Sequence, residues 1–313
     1  MREKITIEST LKSSDTEEWW DIIFTRPVGF HLALLYKNLH VTPNQITVVG
    51  IILGFIAGCS FYFTDLTINI LGMLLLVIAN LHDSADGQLA RMTNNKTKLG
   101  RILDGLAGNI WFIAIYVAIC LRMTAQGYPE IWILGSVSGA CHIIQATMAD
   151  YYRNIYLLFV KGKTNSEVDN SKELMKEFES LSWKKNFFQK LMLRFYVNYT
   201  KQQEFFSKNL QALLLLIRTT YNDVIPQWLI TEFREKNKGL LKYTNILTFN
   251  TRMFVLFFCL LINKPYIYFL FELIIMNIIF AYLAISQEKI SKHFVNKIKC
   301  PKQTHEKQSK IYS

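Results

Sequence analysis

Six apolar runs, at roughly 44–64, 68–90, 103–123, 131–159, 243–263 and 265–286, leave this chain little choice of fold. Each is close to the ~20 residues that a helix needs to cross the hydrocarbon of a bilayer. Backbone polar groups placed there meet no water, so each run must satisfy its own hydrogen bonds as a helix. The sequence therefore predicts an all-α fold, a polytopic membrane bundle of six transmembrane helices.

Composition agrees: 51% of the 313 residues are hydrophobic and 22 are Phe, ordinary for a polytopic protein and unusual for a soluble one. The net charge of +11 invites a nucleic-acid reading, but no soluble basic domain with an RNA or DNA motif is present, and no nucleic-acid partner is expected. Its distribution gives another cause. With the N-terminus in the cytoplasm, only Arg122 and Lys264 fall in the outer loops, and every other Lys and Arg lies on the opposite side, as the positive-inside rule requires. The first 15 residues are charged and lack the apolar core of a secretory signal.

Chemistry concentrates between two of the runs, from His82 to Asn109. Asp83, Asp86, Gly87 and Ala90 recur at i, i+3, i+4 and i+7, which is one helix face, and Arg91 closes that helix. After the polar turn MTNNKTK, Gly100, Asp104 and Gly108 follow at i, i+4 and i+8, so Asp104 sits on a smooth face that a neighbour can approach. Three carboxylates brought together need a compensating cation. Hard oxygen ligands with open positions suit Mg²⁺ or Mn²⁺, with Asp83, Asp86 and Asp104 as the ligands.

The order Asp83-x2-Asp86-Gly87-x2-Ala90-Arg91-x8-Gly100-x3-Asp104 resembles the signature of the CDP-alcohol phosphatidyltransferases. These integral membrane enzymes move a phosphatidyl or phospho-alcohol group from a CDP-activated donor to a hydroxyl and release CMP. The resemblance implies CDP-diacylglycerol as donor, a small hydroxyl compound as acceptor, membrane lipids around the bundle, a homodimer, and an active site on the cytoplasmic face. It also implies room for the nucleotide at Gly87, Ala90 and Gly100, and a charge-assisted contact from Arg91 to the donor phosphates. The family pattern continues with a fourth Asp, assigned as general base and ligand of a second metal. That residue falls on position 108, where this chain has Gly108 followed by Asn109.

A replacement is therefore sought among Asn109, as a positioning group, and His142 or Asp150, as base. Gly135, Gly139, His142, Ala146, Asp150 and Arg153 form one helix face spaced by 4, 3, 4, 4 and 3, and ionisable groups at membrane depth are usually functional. The plainer alternative makes His142 an interhelical hydrogen bonder and Asp150 an ion-pair partner of Arg153. Thr42-Pro43-Asn44-Gln45-Ile46-Thr47 opens the first run with Pro early in the helix, and it too resembles the family, whose first span contributes to the nucleotide pocket through positions matching Asn44 and Thr47. Thr25-Arg26-Pro27 is similar to the interfacial arm of members that use a phosphorylated inositol, which leans the acceptor toward a polyol phosphate such as inositol phosphate.

The chain divides into an interfacial amphipathic arm (1–41) interrupted near Pro27, four spans with the motif (42–161), a cytoplasmic helical insertion (162–242), two further spans (243–287) and a basic tail (288–313). Within the insertion, 205–217 is expected to pack on the membrane face or close over the site. Lys184, Lys185 and Lys190 are candidates for anionic headgroups, or simply a solvated face. The cysteines show no metal or disulfide spacing and read as small buried residues. A catalytically impaired relative that binds CDP-lipid and scaffolds a pathway is the alternative to an enzyme. A transporter is disfavoured, because the carboxylates sit at a helix end and no repeat symmetry is visible.

Overall fold

The start of the first long helix shows how locally the chain is specified. Thr42 stands outside the helix with its backbone N–H donating to Gln45 Oε1 at 2.9 Å, and Pro43 occupies the first turn, where a missing N–H costs nothing. The computed structural model describes residues 6–7, 10, 14–95, 97–162 and 168–299. Its helices are α1 (Arg26–Asn38), α2 (Pro43–Ser60), α3 (Leu66–Met92), α4 (Lys98–Ala125), α5 (Ile131–Lys161), α6 (Ser171–Ser180), α7 (Phe187–Phe206), α8 (Lys208–Tyr221), α9 (Gln227–Lys238), α10 (Leu241–Ile246), α11 (Phe249–Leu261), α12 (Tyr266–Phe271) and α13 (Asn277–Lys299). A π-helical turn, Glu272–Met276, joins the last two into one rod. Among the described residues there is no strand.

Five helices are long and apolar enough to cross a membrane: α2, α3, the Gly100–Ala125 part of α4, α5, and the continuous Tyr266–Lys299 rod. Their outward side chains, among them Ile52, Phe55, Leu71, Leu74, Ile113, Ile133 and Ile285, are exposed, an apolar belt that only lipid would cover. This is an integral membrane protein. The run at 243–263, expected as a sixth span, consists of α10 and the 13-residue apolar helix α11, shorter than the other five. At 1.5 Å per residue α11 covers roughly 20 Å, and it runs from the motif's side of the bundle toward Asn263, which Arg122 binds at the opposite end. At the break between the two pieces the buried Arg252 donates from Nε to the Leu247 carbonyl at 3.2 Å.

Helices α2, α3 and α4 form the tightest part of the bundle. A Cβ on Gly58 of α2 would lie 2.8 Å from that of Ala114 on α4, so these backbones approach as only a glycine allows. Ala57, Leu76, Ala79, Ala107, Trp111 and Ile115 fill the space between. At the end of the bundle away from the motif, Arg122, expected in an outer loop, is buried and binds Phe61 O, Asn69 Oδ1 and Asn263 Oδ1.

The arm is helical from Trp19 onward, and the expected break near Pro27 is a π-helical turn over Asp21–Thr25 that leads directly into α1. Among the described residues the insertion holds helices α6 to α9. Leu210, Leu213 and Ile217 of α8 pack with Met276, Leu283 and Phe294, so the 205–217 segment braces the last rod and does not close over the site. Lys190 is buried, with Nζ donating to Leu181 O at 2.5 Å and lying 4.7 Å from the centre of the Phe178 ring, which takes it out of reach of a headgroup. The last helix runs on to Lys299, with Gln287, Ser291 and Phe294 buried, where a tail is expected from 288. Residues 300–313 lie outside the described residues. Cys120 and Cys259 are buried as expected, whereas Cys59 is exposed on the apolar face.

Candidate active site

Two helix ends build the centre. Asp65 caps α3 by accepting from Ile68 N at 3.0 Å, and the helix then runs 27 residues to deliver Asp83 and Asp86 near its other end. Thr97 caps α4 by accepting from Gly100 N at 2.9 Å and so sets the phase that turns Asp104 back toward them. One oxygen from each of Asp83, Asp86 and Asp104 lies within 4.8 Å of the other two. Asp86 is buried, Asp83 half-buried and Asp104 exposed, so the group opens on one side.

Neighbouring residues shape this centre. Thr47 on α2 donates its hydroxyl proton to Asp86 Oδ2 at 2.5 Å, with Pro43 O standing 3.1 Å from the same hydroxyl oxygen. A Cβ on Gly100 would stand 2.7 Å from Asn44 Oδ1, so Asn44 lies directly against the start of α4. Gly87 faces the Arg91 guanidinium, which a Cβ would meet at 3.4 Å, and Arg91 Nε donates to the Thr10 carbonyl of the arm. Half-buried Ala90 gives its carbonyl to Asn95 N at 2.9 Å and so starts the turn to α4. Arg26 joins from α1, donating to Glu17 Oε2 at 2.8 Å and to Ser84 Oγ at 3.4 Å. Burial pushes the Arg26 guanidinium down, but Glu17, Asp21 and Asp83 outweigh it and hold the charge.

Beside the carboxylates lies a cavity of about 290 Å³, whose wall includes Asp104, Gly108, Asn109, His142, Asp150 and Arg153. The predicted α5 face does point inward. His142 is buried, and its Nδ1 meets Arg252 at 2.7 Å. Arg252 also bonds Glu272 and Gln145, and Tyr268 donates to Glu272 at 2.7 Å, a closed network behind the cavity. Asn109 donates to Gly105 O at 3.0 Å, one turn back on its own helix. Asp150 is exposed and accepts from the Tyr199 hydroxyl at 2.7 Å, while Arg153 bonds Asn245 and faces Glu18, so the expected Asp150–Arg153 pair gives way to two separate contacts.

Part of this wall is absent from the sequence reading. Phe195, Tyr196 and Tyr199 of α7 close the cavity from the insertion, and no spacing marks them. Arg252 and Glu272 did carry a signal, each an ionisable residue inside an apolar run. Burial and the adjacent Asp150 hold the Tyr199 phenol well above its usual range, so it remains a donor.

The donor set fits a divalent cation. Three hard oxygen ligands meet on one side of a cleft, and Asp83 and Asp104 come within hydrogen-bonding reach of each other, an arrangement that two negative charges sustain only with compensation.

The family model of the CDP-alcohol phosphatidyltransferases matches residues 40–157, from the turn before α2 to near the end of α5. Residues 40–157 are a CDP-alcohol phosphatidyltransferase domain. Three curated relatives resemble part of this chain. The archaetidylinositol phosphate synthase of Pyrococcus horikoshii is 32% identical over 84 residues, 27% of this chain and 43% of that protein. The bifunctional IPC transferase and DIPP synthase of Aquifex aeolicus is 28% identical over 115 residues, 37% of this chain and 26% of that protein. The CDP-diacylglycerol–glycerol-3-phosphate 3-phosphatidyltransferase of Rickettsia felis is 29% identical over 98 residues, 31% of this chain and 52% of that protein. The chain thus spans about half the length of these relatives, or less. The phosphatidyltransferase domain holds Asp83, Asp86, Asp104, Asn109, His142 and Asp150, while α7 and residues 247–252 complete the cavity from outside it.

Proposed function

We propose that this protein transfers a phosphatidyl group from CDP-diacylglycerol to the hydroxyl of a small polar alcohol and releases CMP, at the cytoplasmic face of the membrane. The observation that carries the reading is the meeting of Asp83, Asp86 and Asp104 within 4.8 Å beside an open cavity. The Lys and Arg asymmetry of the loops supports the cytoplasmic face, where CDP-linked donors are made.

Asp83, Asp86 and Asp104 are the residues to hold Mg²⁺ or Mn²⁺, which when bound neutralises charge on the donor pyrophosphate and makes CMP a better leaving group. Thr47 keeps Asp86 oriented by its hydrogen bond. Asn44, Gly87, Ala90 and Gly100 border the nucleotide, and Arg91 and Arg26 face its phosphates. The cavity is at the small end for ligand pockets, which suits an acceptor alcohol and not the whole donor. Apart from the cation ligand Asp104, the exposed carboxylate on its wall is Asp150, and the other two groups sought as a replacement, His142 and Asn109, are held by Arg252 and Gly105. Asp150 takes the hydroxyl proton as the acceptor oxygen attacks the β-phosphorus, and the bond from that phosphorus to the CMP oxygen breaks.

The test is CMP release by purified protein given CDP-diacylglycerol, Mg²⁺ and a panel of alcohols, with Asp86→Asn as control. Release that EDTA stops, Mn²⁺ or Mg²⁺ restores, and Asp86→Asn lowers by at least about 10³-fold, several kcal/mol of charge stabilisation, is expected. No release with any alcohol, in a protein that still binds CDP-diacylglycerol, leaves the second reading, a CDP-lipid-binding scaffold. Gly108 in place of the family's fourth carboxylate is the observation that favours it.

A further inference from the structure

Three arginines line the cavity beside Asp104 and Asp150, and each already meets a carboxylate. Arg101 reaches Asp169 at 3.2 Å, Arg153 stands 3.8 Å from Glu18, and buried Arg252 bonds Glu272. Asp150, by contrast, is met by the neutral Tyr199 hydroxyl. Asp169 takes a second bond from Tyr196 at 2.7 Å, and Glu18 is held by Thr248 and by Asn250 at 2.9 Å. Among these groups the negative charges outnumber the positive ones. A phosphate entering this space meets Asp150, and beside Arg101 and Arg153 it meets Asp169 and Glu18, each fixed by other bonds; like charges brought together are strongly disfavoured.

Both of those carboxylates lie outside residues 40–157, one on the arm and one at the start of the insertion. We propose that Glu18 and Asp169 are specificity-determining residues that close the acceptor end of the cavity to phosphorylated alcohols, so that the hydroxyl compound taken there carries no phosphate. This rests on the transferase reading above. It separates the chain from the Rickettsia felis relative, whose name specifies glycerol 3-phosphate, and from the polyol phosphate toward which the Thr25-Arg26-Pro27 resemblance leans.

The experiment gives the full chain in lipid nanodiscs CDP-diacylglycerol, Mg²⁺ and matched acceptors: glycerol against glycerol 3-phosphate, and inositol against inositol phosphate. CMP release is expected to show kcat/KM at least tenfold higher for the unphosphorylated member. Glu18→Gln with Asp169→Asn should shrink that ratio by tenfold or more, whereas Glu18→Asp, which keeps the charge, leaves the wild-type ratio. Calorimetric binding of inorganic phosphate without metal needs no turnover, and here the double variant should bind at least tenfold more tightly than wild type. Wild-type preference for the phosphorylated partners overturns the proposal and leaves the transferase reading intact. If no acceptor releases CMP, the transferase reading falls, and phosphate binding decides the charge claim: equal affinity for wild type and variant defeats it.

Discussion

Replacing Asp150 by Asn should remove the group that accepts the alcohol proton, and placing Asp at Gly108 in the same chain should restore it. A positioned general base contributes about 10²- to 10⁴-fold, or roughly 3–5 kcal/mol of barrier. Asp150→Asn is therefore expected to lower kcat for CMP release by at least about a hundredfold. Gly108 lies one turn beyond Asp104 on α4 and lines the same cavity, and a Cβ there meets nothing within 4 Å. The like-charge pair at i, i+4 costs about 0.2–0.5 kcal/mol, and replacing a mid-helix Gly returns a few tenths. The thermal midpoint in detergent should stay within a few degrees, so any gain in rate is chemical. Asn109→Asp is the control, since that position is a further ~100° around the helix and its amide is spent on Gly105. The reasoning is refuted if Asp150→Asn keeps kcat within threefold of wild type, or if the well-folded double variant gains nothing over Asp150→Asn alone.

Arg252→Met strips Glu272 and His142 of their buried partner, and breaking such a pair costs about 3–5 kcal/mol; thermal unfolding should fall sharply, and Arg252→Met with Glu272→Leu should recover much of the loss. Gly100→Ala drives a methyl to 2.7 Å from Asn44 Oδ1, so donor KM should rise several-fold while Asn44→Ala in the same chain relieves the clash; an unchanged KM in Gly100→Ala would count against the packing described. Burial raises the pKa of Glu18, with Asp21 adding to it, above the ordinary 4.5. The docked arm thus favours the protonated acid, and its stability is full below about pH 4.5 and declines as pH rises through the folded value. Protease cleavage of the arm should therefore grow over that window in wild type and stay flat in Glu18→Gln.

The parts legible in the sequence are those set by local spacing. Length and hydropathy marked α2 to α5, and the i, i+3 and i, i+4 relations put Asp83, Asp86 and Asp104 on faces able to meet. The run at 243–263 looked continuous because hydropathy does not register that Arg252 binds back to Leu247, and Lys190 looked solvated because its Phe178 and Leu181 partners are fixed by folding of the insertion. Tyr199 and Tyr196 were invisible for the same reason: their partners, Asp150 and Asp169, stand 49 and 27 residues away. Pairings at that separation depend on how helices pack, which no period in the chain encodes.

The order in which the ribosome delivers these pieces has a consequence of its own. Once residue 161 has emerged, a nascent chain holds all three carboxylates, yet the wall contributed by α7 follows only with residues 187–206, and that of residues 247–252 later still. For that interval the three carboxylates stand beside a cavity with two of its walls still to come.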